Sequence, residues 1–96
     1  MLPSFLQSCL WSYDLSQLDP ENPRDKKVII AQVLNHGTWQ QLEWLLKTYS
    51  KAEIKIVLAN PSPGEWQRPV LDYWQKVLDF VIPKDLYQRA LFNLNG

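Results

Sequence analysis

Helix-start and helix-stop signals recur at short intervals between residues 22 and 60, and they constrain the fold more than any other feature. Asn22 followed by Pro23 is typical of an N-cap with proline at the first helical position. Gly37 stands where a residue of left-handed conformation often ends a helix. The intervening run Val28-Ile29-Ile30 could also begin a strand, but the signals at both ends favour a helix.

Two further helices are predicted almost without loops between them. Thr38 and Gln41 match a capping box, in which two side chains satisfy the free backbone N–H groups of a helix start. Ser50 and Glu53 repeat that pattern, and the helix after them ends near Asn60-Pro61. Because helices joined this closely must turn sharply, we expect a compact tri-helical unit over about residues 23–60.

Helical patterns also flank this unit. Five apolar side chains predict a short N-terminal helix by their spacing: Leu2, Phe5, Leu6, Cys9 and Leu10. After a Pro-rich loop, Pro69 can open a fourth helix, which Pro83 interrupts. A last helix from about Lys84 is expected to turn four residues inward: Leu86, Ala90, Leu91 and Leu94. The sequence thus predicts one all-α domain over residues 1–96, ending in a helical hairpin at about 69–94.

The charge balance and the cysteine content exclude several classes of protein. Ten Lys and Arg residues match ten Asp and Glu residues, so no long-range field would gather phosphates or anionic lipids. The lone Cys9 suits a reducing compartment, and we expect it to be a small buried side chain. The N-terminus lacks the pattern of a signal peptide, and no apolar run approaches the roughly 20 residues that span a bilayer. We therefore expect a cytoplasmic protein without a membrane partner.

No catalytic or metal-binding constellation is predicted. Cys9 and His36, each the one residue of its type, have none of the spacings of paired metal ligands. A nucleophilic triad would have to use His36, whose place at the end of a predicted helix is typical of a capping or surface histidine. Asp72 and Asp79 flank Lys76 on one predicted helix face, which indicates a solvated surface. We expect a protein that is not an enzyme and uses no cofactor or metal.

Five tryptophans are the most unusual part of the composition. Trp39 and Trp74 fall on apolar stripes, so we expect both in the core. Trp11, Trp44 and Trp66 lie off the stripes, where an aromatic side chain either folds over a small core or anchors a partner. For each tryptophan taken alone, a place in the core is the commoner outcome. For the set as a whole, an anchor among them is as strongly expected as no anchor at all.

Several motifs between Trp11 and Tyr73 follow one pattern. The matching stretches are, in chain order, Trp11 to Asp14, Leu18-Asp19-Pro20, Ile29 to Leu34, Gly37, Trp44 to Tyr49 and Ile54 to Leu58. In these motifs the sequence resembles a family of small bacterial helical proteins of unknown function, often encoded beside nucleotidyltransferase-type toxins. After Leu58 the fit is looser. The resemblance implies a helical fold and a role as an antitoxin or toxin-associated regulator, and it carries no catalytic residues to this chain.

The sequence therefore favours a non-enzymatic protein–protein interaction module, whose partner the resemblance implies to be a toxin. The expected anchors and rim charges are Trp11, Tyr13, Trp44 and Trp66, with Lys47, Lys51 and Lys55. The alternative is a helix-turn-helix DNA-binding regulator, because residues 28–49 have that outline. Its second helix would present Gln40, Gln41, Glu43 and Lys47 to DNA, and one lysine beside a glutamate suits phosphate contacts poorly. DNA is therefore the less favoured partner.

Overall fold

A computed structural model describes residues 2–91 and places five α-helices along them. They are α1 Pro23–His36, α2 Trp39–Thr48, α3 Lys51–Ala59, α4 Arg68–Val77 and α5 Lys84–Ala90. Within these residues the extended pairing is limited to one isolated parallel bridge. The prediction of an all-α fold is confirmed, and the three helices predicted between residues 23 and 60 are all present. No helix in this part of the chain is long and apolar enough to cross a bilayer.

Contacts between residues divide the chain after Ser50 into two compact units. The first unit begins with a 3₁₀ helix, Ser4–Ser8, and a single 3₁₀ turn, Leu15–Gln17. Helices α1 and α2 follow and pack against each other. The second unit contains α3, α4 and α5. The organisation of residues 1–96 as one domain stays a prediction.

The short N-terminal helix is confirmed, although its geometry is 3₁₀ rather than α. Four of its five predicted apolar residues are buried: Leu2, Leu6, Cys9 and Leu10. Phe5 is the exception, because its side chain is partly exposed. The Cys9 thiol donates a 3.3 Å hydrogen bond to the Leu6 carbonyl oxygen. Burial raises the pKa of Cys9, so this thiol stays protonated and unreactive.

Two helix starts carry the side-chain caps that the sequence predicts. The Asn22 Oδ1 atom accepts hydrogen bonds from the backbone N–H groups of Arg24 at 2.9 Å and Asp25 at 3.4 Å. At the start of α2 the Thr38 N–H donates to Gln41 Oε1 at 2.7 Å, and the Gln41 N–H donates to Thr38 Oγ1 at 3.3 Å. Each such cap stabilises its helix by about 1 kcal/mol, which explains why these helices begin where local signals place them.

Gly37 ends α1 in a way that differs from the prediction. Its backbone is extended, with φ −77° and ψ 156°, so the expected left-handed conformation is wrong. The position still requires glycine, because a Cβ atom there would lie 2.5 Å from the Val33 carbonyl oxygen. That oxygen accepts the Gly37 N–H at 2.8 Å. The close approach of Gly37 to the backbone of the preceding helical turn, rather than backbone handedness, therefore explains the glycine.

The substitution Gly37→Ala is expected to lower the free energy of unfolding by about 1–3 kcal/mol, because the added methyl group must push the Val33 carbonyl away. Urea unfolding followed by circular dichroism measures this change. Gly64 supplies the contrast, since its φ is +69° and the space around a Cβ atom there is open. Asn tolerates that left-handed backbone better than most side chains, so Gly64→Asn should cost less than Gly37→Asn, which meets the same clash as Gly37→Ala. Equal effects of Asn at both positions would contradict the explanation.

The end of α4 forms a Schellman motif around a residue with positive φ. Asp79 adopts φ 54°, the left-handed conformation that Asp tolerates better than most side chains. The Phe80 N–H donates to the Gln75 carbonyl at 3.1 Å, and the Asp79 N–H donates to the Lys76 carbonyl at 3.3 Å. This turn stops α4 six residues before Pro83, the residue from which the sequence predicts the interruption.

Side chains and backbone groups connect α4, α5 and the loop before them. The Tyr87 hydroxyl donates a 2.6 Å hydrogen bond to Asp72 Oδ1, which joins α5 to α4. The N–H of Gly64 and the N–H of Trp66 donate to the carbonyls of Arg89 and Ala90, both at 2.8 Å. Helix α5 begins at Lys84 as predicted. The expected inward position of Leu94 lies outside the described residues.

Candidate interaction surface

Four ring-bearing side chains lie exposed around the junction of α1 and α2. Trp11 is 60% exposed and Trp39 is 71% exposed. Phe5 is 37% exposed, and His36 is also exposed. We call Phe5, Trp11, His36 and Trp39 the junction surface. Two tryptophans with more than half of their surface in water offer apolar area that a partner can bury.

The Gln41 side chain fixes the N-terminal 3₁₀ helix to the start of α2. Its Nε2 atom donates to the Phe5 carbonyl and, at 2.7 Å, to Ser8 Oγ. Its Oε1 atom at the same time accepts the Thr38 N–H of the capping box. Gln41 is almost fully buried, so these bonds are shielded from water. One amide group therefore places Phe5 next to the helical turn that carries Trp39.

Trp11 is held against the last residue of α1. Its ring packs edge-on against His36, with ring centroids 5.1 Å apart and an interplanar angle of 72°. Such edge-to-face pairs contribute about 0.5–1.5 kcal/mol beyond the area they bury. Nearby, the Gln7 side chain donates to the Leu10 and Tyr13 carbonyls, each at 3.0 Å, and so fixes the turn that presents Trp11. The indole is therefore both exposed and positioned.

The buried face of α2 differs from the predicted stripe, so the prediction that Trp39 is a core residue is wrong. Gln41, Leu45 and Tyr49 are buried at successive steps of four residues. Trp39 and Leu46, seven residues apart and hence on one other face, are both exposed. The inward rotation follows from Gln41, because a glutamine with three hydrogen bonds takes a core position that hydrophobicity alone assigns to tryptophan. Trp74, the other expected core tryptophan, is buried as predicted.

The other predicted anchors in the first unit occupy different places. Tyr13 is partly exposed in the turn after the 3₁₀ helix. Trp44 is half-buried on α2, where its ring packs edge-on against Tyr49 with centroids 6.1 Å apart. Lys47 is exposed in the last turn of α2. The role of these three residues in binding stays a prediction.

Trp66 is fully buried, which corrects the prediction that it is a surface anchor. The Trp66 N–H donates a hydrogen bond to the Ala90 carbonyl, and Trp66 forms the isolated parallel bridge with Leu91. The local sequence, a Pro-rich loop with polar neighbours, does not predict this burial. The burial depends on contacts with a segment 25 residues later in the chain. Lys51 and Lys55 are exposed on α3, and Lys55 Nζ lies 5.4 Å from the Phe80 ring centroid.

Side chains of the metal-binding types are dispersed in the described part of the chain. No group of three or more His, Cys, Asp or Glu side chains converges within residues 2–91 in a way that could hold a metal ion. The exposed carboxyl group of Asp14 accepts two hydrogen bonds from Ser16, which lower its pKa. That group caps the 3₁₀ turn Leu15–Gln17 and so has a structural task.

The helix-turn-helix outline is present as a pair of helices, since two residues separate α1 from α2. Gln41, one of the four side chains predicted to face DNA, is buried and fully engaged with the protein. A base-reading role for Gln41 is therefore excluded in this structure. DNA binding by the remaining residues stays a prediction.

Comparison with known families adds one finding. A protein-family model of unknown function matches residues 5–58, more than half of the chain. This stretch contains the complete junction surface and Gln41, and it ends inside α3. Comparisons with curated proteins and with solved structures give no match.

Proposed function

The chain belongs to that family of unknown function, DUF6922, and we propose that the matched segment binds another protein through the junction surface. The exposure of Trp11 and Trp39 on positioned backbone is the observation that carries this proposal. Tryptophan is among the residues most enriched where binding energy concentrates. The chain therefore acts as a protein–protein interaction module rather than as an enzyme.

The fixed placement of both indoles supports this role. Trp11 is oriented by its ring contact with His36. Trp39 occupies the first turn of α2, where both hydrogen bonds of the capping box are formed. A tryptophan has two rotatable side-chain bonds, so little conformational entropy is lost when a partner covers it. Lys47, exposed about two turns after Trp39 on α2, adds a charge at the rim, where charges steer association more than they add affinity.

For the partner we propose a toxin enzyme encoded next to this chain, as the motif resemblance implies for the role of an antitoxin. The rigid junction surface would cover the opening of the toxin's active cleft, and the two tryptophans would fill apolar recesses beside it. Inhibition then needs no chemistry from this chain. It requires shape, burial of the two indoles and exclusion of the substrate.

Co-expression of the chain with its neighbouring gene product tests the proposal. We expect one stoichiometric complex in size-exclusion chromatography. We also expect Trp11→Ser and Trp39→Ser each to weaken the complex by at least about 30-fold, the equivalent of a 2 kcal/mol hot spot. Isothermal titration calorimetry provides the dissociation constants.

A matched control comes from the same family segment. Ile56 is 64% exposed on α3 and lies outside the junction surface. Ile56→Ser also removes exposed apolar area, and it should leave the dissociation constant within about threefold of wild type. Separate elution of the two gene products, or equal losses for Ile56→Ser and Trp39→Ser, would refute the proposed binding mode.

A further inference from the structure

The second unit has its own exposed apolar side chains, which the junction surface does not use. Tyr73 and Val77 lie one helical turn apart on α4 and are 60% and 41% exposed. Val81, three residues after the C-cap residue Leu78, is 85% exposed. Together these three residues form an apolar strip along the outer side of α4 and its C-terminal turn.

A groove of about 510 Å³ runs beside this strip. Its lining residues are Asp72, Gln75, Lys76, Asp79, Phe80 and Val81. Gln75 is occupied in holding the chain, because its amide bonds the Leu71 carbonyl and the Ile82 N–H. Asp72 accepts the Tyr87 hydroxyl, and this hydrogen bond raises the pKa of Tyr87. The charges left for an external contact are those of Lys76 and Asp79.

Lys76 and Asp79 are exposed, have opposite charges and lie three residues apart. Neither forms an ion pair with another residue in the part of the chain that the structure describes. Two antiparallel copies of this segment, related by a two-fold axis near Val77, would place each lysine opposite the other copy's aspartate. The segment is therefore complementary to itself, which is the condition for an isologous contact.

We propose that the outer side of α4 is a dimerisation surface whose occupant is a second copy of this chain. Lys76 of each copy pairs with Asp79 of the other, and the strip of Tyr73, Val77 and Val81 is buried between the copies. A net charge of zero leaves no long-range repulsion between identical chains. Because this contact is confined to one side of a single helix and its C-terminal turn, we expect it to bury less than the roughly 800 Å² per partner of a standard stable interface. The dimer is therefore expected to dissociate in the micromolar range or above.

Sedimentation equilibrium of the full chain between about 10 μM and 1 mM tests this surface, a range chosen for weak complexes. Wild type is expected to show reversible monomer–dimer exchange. Lys76→Glu is expected to raise the dissociation constant at least tenfold, because two-fold symmetry makes each substitution count twice. Lys84→Glu, the same charge change at an exposed site on α5, is the control and should have no such effect.

A charge-swap mixture separates pairing from structural damage. Lys76→Glu has two negative charges on the strip, and Asp79→Lys has two positive charges, so each should repel itself. An equimolar mixture of the two variants should recover heterodimers with at least wild-type affinity. Circular dichroism confirms that both variants fold. A monomeric wild type at 1 mM, or a mixture that associates no better than either variant alone, would overturn the dimer.

Discussion

Replacing Trp66 with Ala is expected to lower the free energy of unfolding by about 3–5 kcal/mol, the usual cost of deleting a buried aromatic ring. Trp66 is 0% exposed, and its backbone is bonded to the end of α5, so little around it can collapse into the space left behind. Urea denaturation followed by circular dichroism provides the value, and binding to a partner is measured separately on the fraction that folds.

Trp66→Phe serves as the intermediate control. The indole Nε1 atom is buried without a hydrogen-bond partner among the described residues. Phe therefore removes volume without breaking a side-chain hydrogen bond, and its cost should fall below that of Ala. If Trp66→Ala kept its stability within about 0.5 kcal/mol of wild type, the burial argument would fail and the surface-anchor prediction would regain its basis.

Replacing Gln41 with Glu is the second large effect, with an expected loss of about 2–4 kcal/mol at neutral pH. Glutamate keeps the Oε1 acceptor for the Thr38 N–H but has no N–H to donate. The ionised group would instead face the Phe5 carbonyl oxygen, which cannot donate a hydrogen bond, in a buried place where only the Ser8 hydroxyl could turn to donate. The 3₁₀ helix Ser4–Ser8 would lose the hydrogen bond that joins its Phe5 carbonyl to α2.

The stability of the Gln41→Glu variant should depend on pH. Burial disfavours the charged carboxylate, so protonation is easier in the folded than in the unfolded variant. The folded state then binds more protons, and the deficit relative to wild type should shrink as the pH falls and grow as it rises.

Gln40→Glu provides the matched control, because Gln40 is the exposed neighbour and gains the same charge. Its stability should stay within about 0.5 kcal/mol of wild type. A similar loss for both variants would show that charge on the first turn of α2, rather than the buried amide, is responsible.

Local signals account for most helix boundaries. Asn22, Thr38 and Ser50 each precede a helix that begins at the next residue, because caps act over three or four residues. The outcome for the tryptophans depends instead on contacts distant in sequence. Trp66 is buried through Ala90 and Leu91, and Trp39 is exposed because Gln41 faces inward toward Phe5.

A signal for the Gln41 contact does exist in the sequence. A capping box functions with Glu or Gln at its third position, and the N-terminus of a helix favours the negative charge of Glu. Gln at position 41 is therefore informative, because Gln, unlike Glu, also has an N–H donor that can bond a further acceptor. The second box that the sequence predicts has Glu53 at the corresponding position, and that side chain is only half-buried.

The two-residue link between α1 and α2 has a consequence for how fast and how tightly a partner can bind. The Gly37 N–H donates to the Val33 carbonyl, and the Thr38 N–H donates to Gln41 Oε1. Because both linking residues are held by hydrogen bonds, the corner between α1 and α2 resists a change in the angle between the helices. A ligand therefore meets a preorganised shape and spends little free energy on ordering it. Affinity differences among variants of this corner should then lie in dissociation rates, as in rigid docking.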